Sequence, residues 1–365
     1  MEYSKLVEVY EQLNKTTKRL EKTHIISEFL KDVSADDMEH VMLLLEGKIF
    51  PNYDAREIGV ASRLMLKSLS VATGISVDKI ENEWKKQGDL GLVAEAIVKT
   101  KKQATLHSTK LTVKKVFDNL RKLAELKGEG TVERKTQLIA ELLTSAKPIE
   151  SKYIVKTVLG EMRIGVGGGA MRDAIVWAFF GNKIGIKYTR EMNDIEVEDR
   201  EIYNKYADAV QHAYDVTNEF ALVAKAAKQK GLEGLENIGM KVGIPIQVML
   251  ALKCDTIEEA FETVGKPAAI EFKYDGFRIQ GHKDEKGNIK LFTRRLENVT
   301  NQFPDVVDFI KKNVKGKSFI IDSEAVGYNR KTGKYLPFQS ISQRIKRKYD
   351  IDKMSSDFPV ELNVF

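Results

Sequence analysis

Cysteine is nearly absent from this chain: Cys254 is the single one in 365 residues. That excludes a disulfide framework and a cysteine-ligated zinc site, and makes a reducing cytoplasm the natural setting. Histidine is scarce as well. His24, His40, His107, His212 and His282 have no ligand spacing, so no catalytic zinc site is expected. No apolar run reaches the length of a membrane span. The charged, helix-periodic opening MEYSKLVEVYEQLNKTTKRLEK does not read as a signal peptide. Neither sign of charge dominates. The 59 Lys and Arg against 53 Asp and Glu leave +6, which permits a nucleic-acid partner without requiring one.

What is present has two textures. The first region reads as helices. LVEVYEQLNKTTKRLEKTHIISEFLKDV carries apolar residues at three- and four-residue steps. After Gly130, Thr131 is a candidate N-cap, with Leu138, Ile139, Leu142 and Leu143 on one apolar face. Pro148 suits the first turn of the next helix. NKYADAVQHAYDVTNEFALVAKAAKQKG reads as one long helix closed by Gly231. No exact internal repeat is visible, although helix after helix suits a bundle or array. Near residue 240 the texture changes. AIEF, GFRIQGHK, NIKLFTR, SFIIDSEAVGY and VELNVF are short, aromatic and β-branched, and are separated by turns such as DEKGN and RKTGK. The expected division is 1–238 and 239–365.

Four segments carry groups that chemistry uses. In KYDG, read as a strand, Glu271 and Lys273 share one face, and Asp275-Gly276 turns the chain into the next strand. On this segment alone a solvent-facing hairpin is the favoured reading, since lysines mostly point into water. In FIIDSEAVGY, Asp322 and Glu324 share a face. Such paired carboxylates either repel or hold a cation such as Mg²⁺, and an edge strand with protective charges is the competing reading. LFTRRLENV places Arg294, Arg295 and Glu297 at a strand exit, where an arginine fork can grip phosphate, although a plain charged strand exit is the favoured reading of this segment alone. RIGVGGGAMRDAI matches a relaxed dinucleotide fingerprint only formally, because no strand precedes it. It reads instead as a loop entering a helix, either a structural turn or a place where backbone N–H groups meet phosphate.

Taken together, EFKYDGFR, TRRLE and IIDSEAV resemble, in order and spacing, three motifs of the covalent nucleotidyltransferases: DNA ligases, RNA ligases and mRNA capping enzymes. The first region narrows this. EGKIFPNYDAREIGVA, GDLGLVAEAI, LTVKKVFDNLRKLAELKGEG and SKYIVKTVLGEMRIGVGGGAMRDAI resemble the helical DNA-binding domain of ATP-dependent DNA ligases of the archaeal and eukaryotic replicative type. Capping enzymes lack this domain. IPIQVMLA resembles that family's lead-in to its catalytic domain, so the resemblance covers essentially the whole chain.

The resemblance implies an all-α DNA-binding domain followed by an incomplete α+β, ATP-grasp-like nucleotidyltransferase domain with antiparallel sheets. It implies ATP and Mg²⁺ as cofactors. Lys273 would attack the α-phosphate of ATP to give lysyl-AMP, which requires a neutral amine favoured by burial or nearby positive charge. Glu271 would contact adenine, Arg278 and Arg294 the phosphates and ribose, Glu324 the ribose or metal, with Asp275 as a second metal contact, and Phe365 would stack on the base. Arg163, Gly165, Gly167, Gly168 and Gly169 would touch the backbone of nicked duplex DNA without reading bases. Such an enzyme works in the cytoplasm with the nucleoid, in replication, repair and recombination.

The family pattern continues past Phe365 with further strand motifs, a pair of lysines and an OB-fold domain. Three readings are therefore open: a shortened ligase, one half of a ligase completed by a second polypeptide, or a non-catalytic nicked-DNA-binding descendant. The chain alone is expected to bind nicked DNA without sealing it efficiently. An RNA-end or capping enzyme is a weaker third class. Some relatives bind the sliding clamp through a glutamine and paired aromatics. Here that place reads QATLHSTK, with Gln103 but no aromatics, which argues against clamp binding there.

Overall fold

Apolar residues at three- and four-residue steps make the first region a set of amphipathic helices. The computed structural model describes residues 1–100, 110–249, 251–345, 347 and 349–365. Gln103 therefore lies outside the described residues. The helices are α1 (Tyr3–Asn14), α2 (Arg19–Asp32), α3 (Met38–Leu45), α4 (Ser62–Thr73), α5 (Val77–Gln87), α6 (Leu90–Lys99), α7 (Val113–Glu125), α8 (Thr131–Ser145), α9 (Pro148–Leu159), α10 (Gly168–Ile184), α11 (Arg200–Thr217) and α12 (Phe220–Glu236). α7 is representative. Val113, Val116, Phe117, Leu120 and Leu123 are all buried, and the Thr112 side chain caps the helix by accepting from the Lys115 N–H. No helix among the described residues is long and apolar enough to cross a membrane.

Three local expectations change. Thr131 is the first helical residue of α8, with Gly130 as its cap, and its hydroxyl donates to the Gly128 carbonyl. Gly130 takes a left-handed φ of 73°, which glycine accepts without strain and which sets the chain into the helix. The long helix expected to end at Gly231 is two, broken where Asn218 takes φ of 50°. Asparagine tolerates that region, and its amide donates to the Pro245 carbonyl. Gly231 is instead a kink inside α12. An antiparallel ribbon, β1 (Lys187–Thr189) with β2 (Asp194–Glu196), interrupts the helices.

Contacts group the chain into two compact units. One holds Met1–Pro51, Arg56–Tyr214 and Glu219–Ile238, and the other Asn52–Ala55, Asp215–Asn218 and Gly239–Phe365. The second unit contains α13 (Ile257–Val264), β3 (Phe277–Lys283), β4 (Ile289–Thr293), α14 (Pro304–Asn313), β5 (Phe319–Asn329), β6 (Lys334–Leu336), α15 (Ile351–Asp357) and β7 (Val360–Val364). The sheet is antiparallel, ordered β4-β3-β5-β6, with β7 also pairing β5. The turns DEKGN and RKTGK join β3 to β4 and β5 to β6, as the sequence reading expects.

The strand period of two sorts this sheet into an apolar and a polar face. Phe277, Ile279, Leu291, Ala325 and Leu362 join Val306 and Ile310 of α14 in a buried core. Arg344, with a fully buried side chain, clips the covering segments together. Its guanidinium forks onto Asp305, donates to the Phe358 carbonyl and Ser355, and lies over the Phe303 ring. Arg278, Gln280 and His282 point to the other face. Gln280 exchanges two hydrogen bonds with the backbone of Ile246, and His282 accepts from the Gly243 N–H. The lead-in segment thus covers the far end of the polar face.

Candidate active site

The remaining end of that polar face belongs to Arg278 and its neighbours on β5. Register sets Gln280 opposite Asp322 and Arg278 opposite Glu324. Arg278 Nε donates to Asp322 Oδ1 at 2.8 Å and its Nη2 to Oδ2, a two-point fork. The partner that Asp322 needs is therefore an arginine from the next strand. That leaves Glu324, among the described residues, as the carboxylate of the pair without a salt bridge. Burial pushes the Glu324 carboxyl above the usual range, partly offset by the charges of Lys273 and Arg278 and by the Gly276 N–H, while Asp322 adds to the rise. Lys273, Gly276, Arg278, Asp322 and Glu324 thus form one electrostatic group.

An open cleft of about 560 Å³ adjoins it, lined by Phe272, Lys273, Tyr274, Asp275, Val326, Tyr335, Leu336 and Pro337. Its walls are mostly aromatic and aliphatic and its charges are few, the balance that nucleotide pockets use. Tyr274 lies between Tyr335 and Phe365, each with ring centroids 6.4 Å from its own. The Phe365 N–H donates to the Asp322 carbonyl, and Asp275 accepts from the Phe338 N–H.

Two features depart from expectation. Residues 269–274 are not a strand, and β3 begins at Phe277 after a bend at Asp275 and Gly276. These residues pair with no described strand: β3 is flanked by β4 and β5, and β5 by β3 with β6 and β7. Ile270 and Phe272 are accordingly 90% exposed, and Lys273 is exposed too. Burial of the lysine, one of the two activating devices expected, is not found. Glu271 is exposed and does not line the cleft. Arg294 is exposed one residue beyond Thr293, whose register partner is Ile279, so it sits at the Arg278 end of the sheet. Tyr335 and the Arg278–Asp322 fork were missed. The register of β3 on β5 would have found the fork.

His282 gives this unit a pH dependence. Burial, with Lys290 adding to it, lowers its pKa to about 4. Because the folded value lies below the unfolded one of about 6.5, this stability is fully present above pH 6.5 and is lost as pH falls toward 4. Between pH 7 and 5 the unit should lose roughly 2 kcal/mol through this group. His282→Gln, which keeps an acceptor for Gly243, should flatten that part of the unfolding profile. An unchanged profile would contradict it.

In the other unit the 165–169 turn enters α10. Gly167 is its N-cap, Gly168 and Gly169 lie in its first turn, and all three are exposed, as is Arg163. Gly165 has φ of 63°. The α10 N–H groups and helix dipole face solvent here, as an anion requires.

Comparison with known proteins defines the class first. The DNA ligase N-terminus family matches residues 2–176, and the ATP dependent DNA ligase domain matches residues 248–365. The chain belongs to the ATP-dependent DNA ligases, as their N-terminal domain with part of the adenylation domain. It is 43% identical over its whole length to a DNA ligase of Nanoarchaeum equitans, covering 60% of that protein. It is 40% identical to one of Thermococcus fumicolans, covering 61%, and 37% identical to one of Archaeoglobus fulgidus, covering 61%. The chain thus spans about 60% of the length of the curated relatives it matches.

Proposed function

We propose that this chain supplies the DNA-gripping part and the AMP-accepting lysine of an enzyme that seals nicks in duplex DNA. The observation that carries the reading is the gathering of Lys273, Arg278 and Glu324 at one end of the cleft beside Tyr274 and Phe365. The neutral Lys273 Nζ attacks the α-phosphorus of ATP and forms the N–P bond. The bond from that phosphorus to the bridging oxygen breaks, pyrophosphate leaves, and the amine proton goes to solvent. The AMP then passes to the 5′-phosphate of the nick, and the 3′-hydroxyl displaces it. Negative charge builds on phosphoryl oxygens at each displacement, which Arg278 and Arg294 are suited to stabilise.

A magnesium ion fits this donor set in one way. Among the described residues no group of three or more His, Cys, Asp or Glu converges. Glu324 and Asp275 would supply one or two carboxylates, and phosphate oxygens and water the rest. When bound, the ion neutralises phosphate charge. Glu271 keeps its proposed adenine contact, which requires the chain at 269–271 to move toward the cleft on binding.

Residues 1–238 grip the duplex and residues 239–365 begin the adenylation domain, in the cytoplasm with the nucleoid. The grip uses Arg163 and the 165–169 turn against sugar and phosphate. Arg163→Ala should weaken binding to a nicked duplex several-fold and lower the slope of log Kd against log salt by about 1. Fluorescence anisotropy at several salt concentrations reads both, and an unaltered slope would remove Arg163 from the interface. A non-catalytic nicked-DNA-binding protein is the second reading, favoured by the exposure of Lys273 and the position of Glu271 outside the cleft lining.

A further inference from the structure

Two buried lysines do the same thing in two places. Lys22 on α2 donates to the carbonyls of Ile164 at 2.6 Å and Gly165 at 3.1 Å. Lys135 on α8 donates to the carbonyls of Ile58 at 2.6 Å and Gly59 at 3.2 Å. Gly59 and Gly165 have φ of 61° and 63°, and each belongs to an Ile-Gly-Val turn that enters a helix, α4 or α10. Burial lowers the pKa of both lysines. Both side chains are followed by a threonine whose hydroxyl donates four residues back, Thr23 to Arg19 and Thr136 to Val132.

The surroundings match too. Lys22, Thr23, Ile26, Glu28 and Leu30 recur as Lys135, Thr136, Ile139, Glu141 and Leu143. Leu92, Val93 and Ala94 in the first turn of α6 recur as Leu222, Val223 and Ala224 in that of α12. Packing follows the same correspondence with partners exchanged. α2 packs on α10 and α8 on α4, α3 on α12 and α9 on α6, α1 on α9 and α7 on α3. The Tyr3 N–H donates to the Leu111 carbonyl and the Val113 N–H to that of Met1, joining the starts of α1 and α7.

We infer that the helical unit is an internal duplication, and that Lys22 is a positioning residue that holds the 165–169 turn in shape for the DNA backbone, with Lys135 as its counterpart on the Ile58-Gly59 turn. This rests on the DNA-binding reading of the 165–169 turn. Lys22 is 8% exposed and already bound to two carbonyls, so it acts through the turn rather than on phosphate. The tether crosses from one half to the other, so the turn's geometry is set by the opposite half's helix.

The test measures thermal unfolding and nicked-duplex binding of the full chain at several salt concentrations. Lys22→Met should raise Kd about tenfold and leave the salt slope unchanged, because no phosphate contact of its own is lost. Its Tm should fall by about 4–8 °C, as should that of Lys135→Met, since each loses two hydrogen bonds. Gly165→Ala disturbs the same tether from the other side, its new Cβ lying 2.8 Å from Lys22 Nζ, and should give a similar Kd with no further loss in the double variant. It carries the test if Lys22→Met does not fold. An unchanged Kd with a lowered Tm would make Lys22 merely structural and overturn the proposal. A slope reduced by about 1 would mean that Lys22 meets phosphate directly, and would also overturn it. Widely different Tm losses for Lys22→Met and Lys135→Met would overturn the duplication. Wild-type chain that fails to bind nicked duplex would overturn the DNA reading itself.

Discussion

Lys273→Ala is expected to abolish covalent capture of label from α-labelled ATP, a loss of at least about a thousandfold, since Lys273 supplies the one amine among the described residues lining the cleft. Lys273→Arg should fare no better, because a guanidinium stays protonated and is no nucleophile. Neither change should alter stability by more than about 0.5 kcal/mol, because the side chain is exposed and its removal leaves no cavity. Nicked-duplex binding, which we propose rests on the 165–169 turn, should also persist. Loss of labelling with both retained separates chemistry from folding. Labelling that survives Lys273→Ala would place the nucleophile elsewhere.

Gly276→Ala should damage both folding and chemistry. A Cβ at this position would lie 2.3 Å from the Ala325 carbonyl oxygen and 3.1 Å from Glu324 Cγ. The first contact is with strand backbone, which cannot rotate away. β5 or the bend before β3 must shift, at a cost of about 1–3 kcal/mol. The same shift displaces the Gly276 N–H from the Glu324 carboxylate and moves Lys273 relative to Arg278. A misplacement of about 1 Å costs on the order of a hundredfold in rate, so labelling should fall by that much. Normal labelling and an unchanged Tm would mean that the close approach at Gly276 is not needed.

The polar site was partly legible. The two-residue period of FIIDSEAVGY placed Asp322 and Glu324 together correctly, because β-strand alternation is local. Their different roles were not legible, since they depend on Arg278 reaching Asp322 across a register that only the folded sheet sets. The 269–272 segment has strand composition, yet composition says nothing of whether another strand pairs with it, and none among the described residues does. Helix existence was readable from apolar spacing, and Pro148 does begin α9. The break at Asn218 was hidden because the apolar period runs on through it. The internal repeat escaped for a related reason. Its identities are few and widely spaced, and their common role shows only when Lys22 and Lys135 are seen tethering equivalent turns.

The most direct measurement is to incubate the wild-type chain with α-labelled ATP and Mg²⁺, alone and with the C-terminal part of an archaeal ligase supplied, and to map the label by peptide sequencing. We expect covalent label in the supplemented reaction, confined to the peptide containing Lys273. No label in either reaction, from protein that still binds nicked duplex, would contradict the role of Lys273 as the AMP-accepting residue and leave a DNA-binding protein in its place.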